Sequence, residues 1–293
     1  MKIKIATTTD TGKVRANNED ALIVCPDLSQ QNWSQDKVSS YVPLSQYGSV
    51  LVVADGMGGA NAGDVASRIA IDTIKDSFTI ENVERILAGD KIYEFLSETI
   101  EKADDAINMR ICEDPDTYGM GTTIVVCWII NGVAHIAWCG DSRCYVYNPF
   151  SGMVQLTKDH SLVQEMVDRG EITEVEAFAH PDNNIITRGL GDVNSQSTPD
   201  IVSHPLKPND MILLCSDGLC GFITNKEIEN VLSENSKDIT KCSDLLLKLA
   251  LDAGGYDNIC IVLASIICDD STALCVPTTL QKILIRMKRL FKF

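Results

Sequence analysis

The chain has 293 residues, 45% of them hydrophobic and 23% charged, which is ordinary for a globular protein that buries a full core. Its formal net charge of -16 argues against nucleic acid as a partner, because phosphate backbones require a basic footprint. The eleven cysteines contain no Cys-x-x-Cys pair and mostly sit inside apolar runs (Cys127, Cys139, Cys215, Cys260), so reduced thiols in a cytoplasmic protein are expected rather than disulfides or a zinc site. No run of about 18 uncharged apolar residues exists, and the N-terminus lacks a signal-peptide core.

In chain order, Lys2 to Thr8 and Ala21 to Cys25 read as strands around a polar stretch holding Arg15, Asn18, Glu19 and Asp20. Residues 26–47, rich in Ser, Gln and Pro, read as a surface loop, and Gly48 to Ala54 as a strand. Apolar residues at Val65, Ile69, Ile74 and Phe78 predict a helix over 64–78. A second helix is expected over 93–111, with Phe95, Leu96, Ile100, Ala103, Ile107 and Ile111 on one stripe. Thr122 to Ile130 and Val133 to Trp138 form a hairpin joined by Asn131-Gly132, the residues that a type I′ turn demands. Short strands follow at 144–147 and 154–156, then short helices at 161–169 and 173–179. Strands at 185–187, 201–203 and 211–215, helices at 225–233 and 243–253, and a strand at 258–267 complete the series. Hairpin connections, with helices in pairs between strands, predict an α+β fold of packed antiparallel sheets with helical layers outside, in one domain over 1–268.

Four aspartates close apolar runs or a glycine turn: Asp55, Asp141, Asp217 and Asp257. A carboxylate at the end of a buried strand is costly unless something pairs with it, and few basic residues stand nearby. The pattern therefore predicts acids converging on hard cations such as Mg²⁺ or Mn²⁺, and the lack of a His/Cys cluster argues against zinc. Two such ions can lower the pKa of a shared water and aim it at phosphorus. The segment Arg15-Ala16-Asn17-Asn18-Glu19-Asp20 adds an arginine, suited to hold a phosphate, next to paired acids.

At these residues the sequence resembles the metal-dependent protein phosphatases (PPM, type 2C) in their short bacterial form. The matching blocks are Thr9 to Asp20, Val53-Ala54-Asp55-Gly56-Met57-Gly58-Gly59, Gly121-Thr122-Thr123, Gly140-Asp141-Ser142-Arg143, Thr157 to Ser161, Thr187 to Gly191, Ser216-Asp217-Gly218-Leu219 and Asp257-Asn258-Ile259. They stand in family order across most of the chain. The resemblance implies a central β-sandwich of two antiparallel sheets flanked by α-helical layers, with metals at one end. It implies that Asp20 and Asp55 are ligands of a binuclear centre, with Asp55 bridging and Gly56 giving its carbonyl. Asp217 and Asp257 would complete the second ion's shell, Glu19 would hold bound water, and Arg15 would bind the substrate phosphate. Asp141 resembles the residue that holds a third, weaker metal. The implied activity is hydrolysis of phosphoserine and phosphothreonine in proteins through a metal-activated water, with no phosphoenzyme and with a Ser/Thr kinase supplying the substrate.

Met57 stands where some members carry a proton-donating histidine, so a water is expected to supply the leaving-group proton. His160 is the other candidate acid, with a structural role in the Asp-His-Ser block as the alternative. Residues 161–184 match the family's flap beside the active site; a movable substrate contact and a rigid helical hairpin are both open. The segment 269–293 is a tail. In residues 280–293, Leu280, Ile283, Leu284, Met287, Leu290 and Phe291 recur at helical spacing against Lys282, Arg286, Lys288, Arg289 and Lys292. Such a basic amphipathic helix suits a partner groove, its own acidic domain or a membrane surface, which leaves a peripheral membrane location open. The rival functions are a non-catalytic module that senses phosphoproteins and a metal phosphatase for small phosphate esters.

Overall fold

The computed structural model describes residues 1–36, 38–58, 62–191 and 197–267; the basic tail of the sequence reading lies outside them. Two antiparallel sheets stack face to face. The first contains β1 (Lys2–Asp10), β3 (Val38–Pro43), β9 (Arg143–Asn148), β10 (Gly152–Gln155), β12 (Met211–Cys215) and β13 (Ile259–Ile267), in the order β10-β9-β12-β13-β1-β3. The second contains β2 (Ala21–Cys25), β4 (Ser49–Ala54), β7 (Ile124–Ile130), β8 (Val133–Cys139) and β11 (Asp200–Pro205), in the order β11-β8-β7-β4-β2. The short strands β5 (Gly56–Met57) and β6 (Gly121–Thr122) pair separately.

The two-residue period of a strand explains the layers. Leu51 and Val53 of β4 point into the space between the sheets, where they meet Ile5, Val125, Ile212, Leu214 and Val262. Val50, Val52 and Ala54 face the other way, onto α1 (Gly63–Ser77) and α3 (Ile92–Glu113). On the outer face of the first sheet, Leu213, Ile261 and Leu263 pack against Ile228 and Leu232 of α7 (Asn225–Asn235) and Leu246 of α8 (Ile239–Asp252). The result is four layers, helix–sheet–sheet–helix, as expected. Under α1 and α3, Trp128 is fully buried with Phe78 and Phe95 edge-on at 5.2 and 5.9 Å. Such ring pairs add about 0.5–1.5 kcal/mol each beyond burial.

Three elements differ from the sequence reading. Residues 26–47 are more than a loop: they contain a 3₁₀ turn, Leu28–Gln30, and the edge strand β3. The segment Ile80–Gly89 is a further helix, α2, capped by Thr79, whose hydroxyl accepts from Asn82 N. It buries only Val83 and Ile86, a stripe too thin to announce itself. The expected strand at 185–187 reduces to one bridge, Ser161 with Ile186. The hairpin turn has positive φ at both Asn131 (51°) and Gly132 (77°), as a type I′ turn requires.

Strand register places the site. In the first sheet Asp10 pairs with Ile259, and Cys215 pairs with Ile261 and Arg143. The end of β1, the start of β13, the end of β12 and the start of β9 therefore share one edge. In the second sheet Ala21 pairs with Ala54, Val53 with Val125, and Ile124 with Cys139, which brings the start of β2 and the ends of β4 and β8 to one edge. Residues 11–20 cross from the first sheet to the second, and so join the two edges.

Candidate active site

Every acid singled out from the sequence sits on these edges: Asp20 before β2, Asp55 after β4, Asp141 after β8, Asp217 at the start of the short helix α6 (Asp217–Cys220), and Asp257 before β13. Their loops are tied together by buried polar side chains. Asn258, 4% exposed, donates from Nδ2 to the carbonyls of Thr11 and Asn17 and accepts from Glu19 N at 2.8 Å. Ser216 Oγ donates to Asp20 Oδ2 at 2.7 Å and accepts from Cys260 N at 2.9 Å. The Asp55 carbonyl accepts from Thr123 N and from Thr122 Oγ1, both at 2.8 Å. Thr123 Oγ1 in turn shares a 2.8 Å hydrogen bond with Ser142, next to Asp141. Removing the hub should be costly. Asn258→Ala strips three hydrogen bonds from a buried position, and we expect a loss of about 2–4 kcal/mol in urea unfolding. A loss under about 0.5 kcal/mol would show that the loops hold without it.

The carboxylates disturb one another strongly. Burial, then the charges of Asp217 and Asp257, pushes Asp20 up to about 8 despite the Ser216 hydrogen bond. Burial also raises Asp55 well above the carboxylate range, helped by Asp20, Asp217, Asp141 and Asp257. Asp141 is raised well above it by burial and then by Asp217 and Asp159. Asp217 rises to about 6 through burial and Asp257. Glu19 is raised mainly by burial; its carboxylate lies against Gly63 at the start of α1. Arg15 Nη2 donates to Asp257 Oδ2 at 2.7 Å while its side chain stays 53% exposed.

Among the described residues, no three His, Cys, Asp or Glu side chains are grouped as an ion cage. The fit to a cation rests on the chemistry of the donors. They are all oxygen, which suits Mg²⁺ or Mn²⁺. Asp20 Oδ1 is buried with no hydrogen-bond partner, a costly state for a carboxylate that an ion would relieve. Gly56 leaves the backbone bare there: a Cβ would run into the carbonyls of Gly63 and Glu19.

Residues 7–259 match the family described as protein phosphatase 2C. The chain belongs to that family. It is therefore a protein phosphatase. It is 34% identical over 255 residues to the serine/threonine phosphatase stp of Listeria innocua, covering 87% of this chain and 92% of that one. The crystal structure of Stp1 from Staphylococcus aureus superposes with a TM-score of 0.77 at 34% identity, covering 90% of this chain and 95% of that one. The catalytic domain of the phosphatase PstP, in complex with two manganese ions, gives 0.72 at 29% identity, covering 91% and 99%.

Within this phosphatase His160 is a structural histidine. Its Nδ1 accepts from Gly140 N at 3.1 Å, its Nε2 meets Asp200 Oδ2 at 3.2 Å, and its ring stacks on Trp138. Burial keeps it below the usual histidine range and hence neutral at pH 7. The Met57 methyl lies beside Gly121 and Gly189, and its thioether has no proton to give. Residues 161–184 form two short helices, α4 (Leu162–Asp168) and α5 (Glu174–Phe178), joined to the body where Leu162 N donates to the Ile185 carbonyl and Thr187 N to that of His160. His135, on β8, hydrogen-bonds Ser203 on β11 at 2.6 Å. The described cysteines are free, and all but Cys112 are buried. No helix among the described residues is long and apolar enough to cross a membrane. Asn258 and Ser216 stand inside the family-like blocks Asp257-Asn258-Ile259 and Ser216-Asp217-Gly218-Leu219, but their service to the loops appears only in three dimensions.

Proposed function

We propose that this phosphatase removes phosphate from phosphoserine and phosphothreonine in proteins, with Asp20, Asp55, Asp217, Asp257 and the Gly56 carbonyl holding two Mn²⁺ or Mg²⁺ ions. Asp55 would be a ligand to both ions, Asp141 would serve a third, and Glu19 would hold water beside them. The observation that carries this reading is the set of buried, mutually repelling carboxylates that includes an unpartnered Asp20 oxygen. When bound, the ions supply positive charge and an acidified water as nucleophile.

The chain's own residues set the rest. Arg15 has one N–H committed to Asp257 and further donors free in its fork to orient the phosphate. Ser216 fixes the rotamer of Asp20. Cys220, just after Asp217 on α6, is no candidate nucleophile, since it is buried and held well above its usual range by Cys215 and burial; water would be the attacking group. Neither Met57 nor the neutral, hydrogen-bonded His160 offers an acid, so the leaving oxygen takes its proton from water. A kinase of the Ser/Thr class supplies the substrate.

A Mn²⁺ titration on phosphoserine, phosphothreonine and phosphotyrosine peptides tests this. Turnover should require the metal and favour the first two by at least about tenfold. Metal-independent turnover, or a phosphotyrosine preference, rejects the reading. A binding-only module has no observation in its favour, since none of the acids is missing.

A further inference from the structure

One exposed apolar feature borders the site and has no part in the core. Phe222, just after α6, and Tyr256, just before Asp257, place their ring centroids 5.7 Å apart at the surface, with 37% and 56% of each residue exposed. Both are tied to elements that carry site acids, since α6 begins at Asp217. The Tyr256 loop is also anchored to the segment bearing Arg15: Lys13 N donates to the Gly255 carbonyl at 2.7 Å, and Arg15 reaches Asp257. The Tyr256 ring turns back on its own loop. It folds over Gly254, where φ is +133° and a Cβ would run into the ring itself. Val14, 62% exposed, adds a further apolar group directly before Arg15.

We infer that Phe222 and Tyr256 form an apolar lip that takes the aliphatic or aromatic side chain of the substrate residue next to the phosphorylated one. The inference rests on Arg15 orienting the phosphate, and adds to that reading a preference among phosphoproteins. Tyr256 is the chain neighbour of Asp257, which Arg15 holds at 2.7 Å. An extended peptide advances about 3.3–3.6 Å per residue, so a chain whose phosphate is held at Arg15 has a flanking side chain within reach of these rings. Aromatic pairs at the edge of a binding site are the residue types that concentrate binding energy. The local charge selects against other occupants. A basic neighbour would find Asp257 and Asp252 already paired with Arg15 and Lys248, and an acidic one would compete with the phosphate for Arg15.

The test uses the full chain with Mn²⁺ and three phosphothreonine peptides that differ only in flanking residues: leucine, glycine or lysine. The wild type should turn over the leucine peptide with a kcat/KM about tenfold above the glycine peptide, the difference lying in KM. Phe222→Ala and Tyr256→Ala should reduce that ratio to about twofold or less, and Tyr256→Phe should keep it. A ratio between peptides is unaffected by any loss of active enzyme. Equal rates on leucine and glycine peptides, a lysine preference, or full retention of the ratio in both alanine variants overturns the lip. Failure to hydrolyse any of the three peptides rejects the phosphoprotein reading itself.

Discussion

Asp55→Asn is expected to lower Mn²⁺-dependent hydrolysis of a phosphothreonine peptide at least about a thousandfold, or about 4 kcal/mol of transition-state stabilisation. Asp217→Asn should fall in the same range. The substitution is nearly isosteric and removes only charge, so each variant should keep the fold. Stability should move the other way. Asp55 is held well above the carboxylate range by burial and by the charges of Asp20, Asp217, Asp141 and Asp257. Replacing it with a neutral amide removes a repelled group, so the metal-free variant should melt at or above the metal-free wild type. A damaged fold would lower both activity and melting temperature, and so cannot imitate this pair of results. Retention of more than about a tenth of the activity by Asp55→Asn would remove it from the site.

The strands and the clustering of the acids were readable in the sequence for the same physical reason. An apolar run that ends in an aspartate fixes both a buried strand and the position of a carboxylate at its end. Leu51 to Asp55 and Met211 to Asp217 each specify an element and a carboxylate at its end, and the structure brings the two ends together. The helix α2 was not readable, because two buried side chains in ten residues give a weak periodic signal. The strand β3 was hidden by its place on the sheet edge, where a Ser- and Pro-bearing sequence pairs along one side only. The Phe222–Tyr256 lip was equally invisible: the residues are far apart in sequence, and each alone is an ordinary exposed aromatic. The roles of Ser216 and Asn258 depended on partners more than 190 residues away for Ser216 and more than 230 for Asn258. Spacing carries no trace of such bonds.

Chelation should destabilise the protein most at high pH. Asp20 rises to about 8 and Asp217 to about 6 in the fold, with Asp55 and Asp141 also raised; an unfolded aspartate titrates near 3.9. Between those values the folded state binds more protons than the unfolded one, so the slope of stability against pH is negative. Metal-free protein is therefore favoured near pH 5 and loses stability as pH rises towards 8. With Mn²⁺ the sign of the cluster's contribution is reversed, because ligand carboxylates are deprotonated on binding and affinity rises with pH. Melting with EDTA and with Mn²⁺ should thus give curves that diverge as pH increases. From pH 5.5 to 8 we expect the gap to widen by about 5–10 °C, from about 2–3 kcal/mol at about 2–4 °C per kcal/mol for a domain of this size. In Asp20→Asn the divergence should shrink, since this substitution takes out of the titrating cluster the carboxyl that burial raises to about 8. A constant gap across the pH range would mean that these carboxylates do not meet the metal as charged ligands, whatever the activity assay shows.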